Sequence, residues 1–175
     1  MKTFLKGLCL MIAMSGSQMF AQSTPGFEIK EASDLHPGMM VYKGQCRFGD
    51  LEQLASFDLL PAAAAYKPDP AIISGLAGAM ADKEVIVFLG TWCDDSHRLI
   101  PQLYRVLQDL RYPLEKVKIY ALDEDKKGAN QVEAQYSVSF VPTIIIQKDG
   151  KELGRVTETV QKNIEADLMN IVGKE

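Results

Sequence analysis

The sequence predicts an α/β fold in three layers, a mixed central sheet flanked by helices, with an N-terminal extension. Three observations predict it. Val85-Ile86-Val87-Phe88-Leu89 is a continuous apolar run rich in β-branched residues, the pattern of a strand covered on both faces. Leu99, Ile100, Leu103, Val106, Leu107 and Leu110 follow at helical spacing. Asp149-Gly150, set between two strand-like runs, is a two-residue hairpin signal.

The elements follow in chain order. Residues 22–38 are polar and carry Pro25, Gly26, Pro37 and Gly38, which reads as a tail or loop. Met39 to Tyr42 is a short apolar run that suits a strand. Asp50 with Gln53 three residues on resembles a capping box for a short helix through Ala55. Phe57 to Tyr66, broken by Pro61, takes no assignment. Asp69-Pro70 is an N-cap with proline at the first helical position, and Ile72, Ile73, Leu76, Ala77 and Met80 mark one face of the helix it opens. After the strand at 85–89 comes a turn, Gly90 to Trp92, and a helix from near Cys93 that Pro101 should kink. Val117 to Leu122 alternates as a strand, and Gln131 to Tyr136 suits a short helix. Thr143 to Gln147 and Glu152 to Val156 form the hairpin. Val160, Ile164, Leu168, Ile171 and Val172 mark a last helix. From Pro70 the order is α-β-α-β-α-β-β-α, so helices should cover a small sheet with strands in both directions.

Lys2 and Lys6 precede an apolar run, Leu8 to Ala13, and a polar stretch ends in Phe20-Ala21-Gln22. That is the plan of a secretory signal peptide cut after Ala21. The expected organisation is a signal peptide at 1–21, an N-terminal extension at 22–69 packing on the domain, and the domain itself at 70–175. Export, to a periplasm or outside the cell, and no stable membrane span after signal removal are the matching expectations. Removal of Lys2 and Lys6 takes the formal charge from −4 to −6, which argues against nucleic acid as a partner. Of three cysteines, Cys46 and Cys93 would remain, in a compartment where disulfides persist.

The chemistry gathers at Trp92-Cys93-Asp94-Asp95-Ser96-His97. A thiol at a helix N-terminus meets unpaired N–H groups and the positive end of the dipole, and both favour the thiolate that attacks disulfides. Asp94 and Asp95 oppose that effect or simply suit the first turn. His97, one turn on, is a candidate tuner of the thiol or a surface helix residue. Trp92 is core packing or part of a contact surface. Cys93 itself is a small buried hydrophobe or a nucleophile, and its place just past a buried strand favours the nucleophile. No cysteine–histidine cluster has metal-ligand spacing, and no metal or cofactor is expected.

These residues carry a resemblance to the thioredoxin-like family. Val85–Leu89, Trp92-Cys93 and a helix with Pro101 eight residues past the cysteine resemble its active-site segment. Val141-Pro142-Thr143 ahead of a strand looks like its cis-proline loop. The resemblance runs from about Pro70 onward. It implies that Cys93 is the nucleophile, that Pro142 is a cis-proline against it, and that Val141 offers backbone groups to an extended substrate, with Trp92, Asp94 and Asp95 beside it. Two departures stand out. Ser96 replaces the second cysteine, and Val87 replaces a buried acid that serves that cysteine. A dithiol cycle within C-x-x-C is therefore excluded.

Ser96 can donate a hydrogen bond to the thiolate but cannot resolve an intermediate. Cys46 is a candidate resolving partner, or a buried or free thiol. The functional expectation is an exported monothiol (C-x-x-S) thiol-disulfide oxidoreductase or isomerase. It would act on thiol- or disulfide-containing proteins or small thiols through a single cysteine. The alternative is a non-redox module that binds extended peptides or a protein partner.

Overall fold

The computed structural model describes residues 27, 29–33, 35–37 and 39–173, and the expected signal peptide lies outside them. The elements are β1 (Ile29–Ala32), β2 (Met40–Cys46), α1 (Phe48–Glu52), α2 (Leu59–Ala65), α3 (Pro70–Ala79), β3 (Glu84–Leu89), α4 (Asp94–Asp109), β4 (Lys118–Ala121), α5 (Val132–Gln135), β5 (Thr143–Lys148), β6 (Lys151–Thr157) and α6 (Ile164–Val172). They build one mixed sheet in the order β1-β2-β4-β3-β5-β6. β3 runs parallel to β4, and its other neighbour, β5, is antiparallel.

β3 sits deep in the sheet, and its composition explains why. Val85, Val87 and Leu89 enter one core cluster, while Ile86 and Phe88 enter the other. Both faces are dry, so the strand reads as an unbroken apolar run rather than an alternation. The first cluster also takes side chains from α1, α2, α3, α4 and α6. The second lies under α5 and the loops around it. Five helices therefore share one face of the sheet, and the face that bears Trp92 and Val141 is covered mainly by short segments.

The expected elements from Pro70 onward are all present in the expected order. Asp69 Oδ1 accepts the Ala71 N–H at 2.9 Å and starts α3. α4 continues through Pro101, which faces the core with Leu99, Ile100 and Leu103. Each such burial contributes roughly 1.5–3 kcal/mol. Asp149 and Gly150 have φ of 50° and 75°, the left-handed pair that a tight hairpin needs, between paired Lys148 and Lys151.

The residues before Pro70 differ from their expected elements. Residues 29–32 form a strand rather than a tail, because Ile29 to Ala32 pair antiparallel with Lys43 to Met40. An edge strand of this kind is defined by its neighbour and not by its own pattern. Asp50 does not cap a helix reaching Ala55. α1 starts at Phe48, and Asp50 lies in its first turn, where the carboxylate reaches back to accept the Arg47 N–H at 2.7 Å. The unassigned stretch around Pro61 is α2. Its proline stands in the first turn, where no intrahelical N–H is lost, and Leu59 and Ala63 face the core. Among the described residues no helix is long and apolar enough to cross a membrane.

β2 pairs with β4 in the main sheet, and Leu51 of α1 lies fully buried in the first cluster. Leu51→Ala should lower stability by about 2–5 kcal/mol, as core truncations do. Urea unfolding followed by circular dichroism checks this, and the transition should remain single. A separate early transition with the main midpoint unchanged would show that residues 40–65 fold independently.

Candidate functional site

The site is the turn from β3 into α4, and each of its residues is held by a different neighbour. Gly90 has its N–H on Ser96 Oγ at 3.1 Å. A Cβ at Gly90 would lie 2.7 Å from Trp92 Cε2, so only glycine lets the indole fold back over the backbone. Thr91 Oγ1 accepts the Tyr42 N–H at 3.1 Å and donates to the Met40 carbonyl at 3.4 Å, which ties the turn to β2. Trp92 donates its indole N–H to the Leu122 carbonyl at 3.0 Å and is nearly buried. One side of its ring stacks near His36 at 6.0 Å between centroids, and Lys126 Nζ lies 5.2 Å from the ring centre.

Cys93 is the N-cap of α4, with extended backbone (φ −94°, ψ 120°). Its carbonyl accepts the His97 N–H at 3.0 Å and its own N–H donates to the Gly90 carbonyl at 3.1 Å. The side chain is half-buried, and Sγ lies 3.5 Å from the Val141 carbonyl, to which the thiol donates. No side chain caps the first turn of α4, so its leading N–H groups stand at the same helix end as the sulfur. The Val141–Pro142 peptide bond is cis, both residues are buried, and the Pro142 carbonyl accepts the Glu158 N–H at 2.8 Å.

The structure thus brings Cys93, Trp92, Val141 and Pro142 together. Ser96 is fully buried, and its oxygen braces Gly90, so it holds the turn in shape. Asp94 is exposed, and Asp95 pairs with Arg98 at 2.7 Å across one helical turn. His97 places Nε2 at 2.7 Å from the Thr91 carbonyl, so that nitrogen carries a proton and donates, and the ring packs on Phe57 at 4.6 Å between centroids. The imidazole grips the turn from below rather than bonding to the sulfur.

Cys46 is not brought to Cys93, and both cysteines are free. Cys46 pairs with Ile119, which pairs in turn with Val87. Two strand spacings put Cys46 about 9–10 Å from Val87, and Cys93 lies beyond the end of that strand. A disulfide needs Cα atoms within about 7 Å. Cys46 also belongs to the first core cluster, whereas Cys93 packs against the second. Burial pushes the Cys46 thiol well up from its ordinary range, and the charge of Asp50 adds to the effect.

Sequence reasoning missed three contributors. Thr91 gave no signal, because its role depends on β2 arriving beside it. His36 lies in a segment with no readable pattern. Phe140, half exposed just before Val141, gave no signal of its own, because Tyr136-Ser137-Val138-Ser139-Phe140 alternates like any half-buried segment.

The chain is similar to known proteins. The family model described as Thioredoxin matches residues 77–171. A thioredoxin of Chlamydia pneumoniae is 33% identical over 58% of this chain and 87% of its own length. A thioredoxin of Chlamydia trachomatis serovar D is 39% identical over 51% of this chain and 79% of its own. The solved structure of Fasciola hepatica thioredoxin is 22% identical over 58% of this chain and 88% of that one, with a TM-score of 0.38.

Trp92 is the sole tryptophan, so its fluorescence reports the turn directly. Gly90→Ala should displace the indole from Leu122, shifting emission to the red. An unshifted spectrum would mean that the close approach is not rigid. Ser96→Ala leaves the buried Gly90 N–H unpaired and should cost about 1–3 kcal/mol in urea unfolding.

Proposed function

The chain belongs to the thioredoxin family, and from that premise we propose that it performs thiol-disulfide exchange through Cys93 alone. The observation that carries the reading is the half-buried Cys93 sulfur at the head of α4, 3.5 Å from the Val141 carbonyl. In the first step the Cys93 thiolate attacks one sulfur of a substrate disulfide. A Cys93–substrate disulfide forms, the substrate bond breaks, and the other substrate sulfur leaves as a thiolate. In the second step a thiolate from a protein or small thiol attacks the substrate-side sulfur of that mixed disulfide. Cys93 leaves as a thiolate, and a new disulfide joins the substrate to the incoming thiol. Electrons balance without a bound cofactor, since each step exchanges one sulfur–sulfur bond for another.

The residues around the sulfur support these steps. The first-turn N–H groups of α4 are aimed at negative charge on the N-cap side chain. Val141 and Pro142 line the sulfur and offer the backbone against which an extended substrate segment would lie. Trp92 walls the site and limits water beside the sulfur. Ser96 preserves the turn without supplying a second thiol, so release depends on the incoming thiol. Asp94 and Asp95 add charge at the rim.

The same proposal places the protein outside the cytoplasm. Lys2 and Lys6, the apolar run and Ala21 support a signal peptide removed before folding, with residues 22–69 as an N-terminal part packing on a domain at 70–175. An oxidising compartment would supply the protein disulfides that the exchange consumes.

Cys93→Ser should abolish exchange with a mixed-disulfide substrate while leaving the unfolding free energy from a urea titration within about 0.5 kcal/mol of wild type, since the side chain is not in the dry core. Retention of full activity would remove Cys93 from the mechanism. Ser96→Cys should allow an intramolecular disulfide and raise insulin reduction by dithiothreitol. No gain would mean that position 96 cannot reach the sulfur of Cys93.

A further inference from the structure

We propose that Leu35 and Phe140 are specificity-determining residues for exchange at Cys93, selecting protein segments whose cysteine is flanked by apolar side chains. The inference rests on the exchange reading above and names its substrate class. Among the described residues three large hydrophobic side chains are exposed: Leu35 at 66%, Phe140 at 53% and Leu60 at 48%. Scattered exposed apolar residues need no explanation. Two of these, however, sit on separate loops that both abut the Trp92–Cys93 turn. Leu35 precedes His36, whose ring stacks on Trp92. Phe140 precedes Val141, whose carbonyl meets the Cys93 sulfur.

Both loops are tied down, so neither side chain is left in water by default. Ser33 donates its hydroxyl proton to Glu124 Oε1, and the same oxygen accepts the Leu35 N–H at 3.4 Å. Ser33 Oγ accepts the His36 N–H at 2.7 Å. The Ser33 N–H reaches the Met39 carbonyl at 3.0 Å, and the Met39 N–H reaches the His36 carbonyl at 3.0 Å. Below the loop, Lys43 pairs with Asp123 at 2.6 Å. On the other loop the Phe140 carbonyl accepts the Thr143 hydroxyl at 2.8 Å. Fixed backbones thus hold Leu35 and Phe140 exposed on the two loops that reach Trp92 and Cys93.

A ligand that touches both loops while its sulfur is on Cys93 must reach well beyond that sulfur. An extended polypeptide does so, advancing about 3.3–3.6 Å per residue and placing a side chain at each step. Glutathione disulfide, whose cysteine is flanked only by a γ-glutamyl group and a glycine, offers neither loop an apolar side chain. Leu35 also lies before the family-matched region 77–171, so this wall is built by the part of the chain outside that match.

The test compares exchange rates of the reduced full chain with three probes, followed by Trp92 fluorescence in a stopped-flow instrument. Two are symmetric peptide disulfides, identical except that leucine or serine flanks the cysteine, and the third is glutathione disulfide. Wild type should react about tenfold faster with the leucine peptide than with the serine peptide, the scale expected of one newly buried apolar contact. Leu35→Ser and Phe140→Ser should each lower that ratio about threefold, and the double variant should bring it close to one. A wild-type ratio of one, with glutathione disulfide reacting normally, would overturn the specificity while leaving exchange intact. A ratio untouched by Leu35→Ser would remove the β1–β2 loop from it. Failure of all three probes would instead sink the exchange reading and this inference with it.

Discussion

Everything at the site depends on where β3 ends. The strand is sealed on both faces, with Val85, Val87 and Leu89 in one core and Ile86 and Phe88 in the other. It is also paired on both edges, to β4 and β5. A strand confined in this way cannot slide without moving whole rows of side chains to the wrong face. Its carboxyl end is therefore a fixed point, and the chain must turn there to lay the apolar face of α4 back on the sheet. Cys93 occupies the corner of that turn. The sulfur is placed by packing some distance away, before any local contact acts on it.

Local contacts then remove the remaining freedom. Gly90 is held by Ser96, Thr91 by β2 and by His97, and Trp92 by Leu122. These partners come from three different parts of the chain, α4, β2 and the end of β4, so the turn closes only after the sheet and α4 are assembled. Such an arrangement suits a group that must meet an external disulfide in a set direction, because little ordering remains to be done at the moment of contact. It also explains why residues far upstream matter. The first half of β2 runs past the end of β4, and the Thr91 hydroxyl is the hinge pin between it and the turn.

The fold from Pro70 onward was legible because its signals are local. A two-faced apolar strand, a helical stripe, an N-cap with proline and an Asp-Gly hairpin each declare themselves within a few residues. The part before Pro70 was not, since β1 is a strand only because β2 lies beside it, and α1 is started by a carboxylate reaching backward from Asp50. At the site the same division holds. Cys93, Trp92 and Pro142 sit in recognisable segments. Thr91 and His36 acquire their places from contacts made across long stretches of sequence, which no spacing rule encodes. Cys46 shows the converse, since a second thiol in the composition suggested pairing that the sheet geometry keeps apart.

The serine at position 96 shapes what kind of exchange such a site can sustain. With a thiol there, a mixed disulfide would be short-lived, because the resolving sulfur would travel with the attacking one. Here the group is a hydroxyl, fully buried and engaged with the Gly90 N–H. A mixed disulfide on Cys93 would persist until an outside thiol arrived. Its lifetime would then be set by how well the bound segment is held and how readily a second thiol reaches it. In the proposed exchange, binding surface around the sulfur would therefore bear directly on turnover, in a way it would not were resolution internal. The walls of the site would then carry functional weight, Trp92 with its His36 and Lys126 neighbours and the 140–142 loop that meets the Cys93 sulfur. An exchange that relies on an outside thiol would gain from fixed walls, and the hydrogen bonds of Ser33 with Glu124 and of Tyr42 with Thr91 restrain the segments beside Trp92.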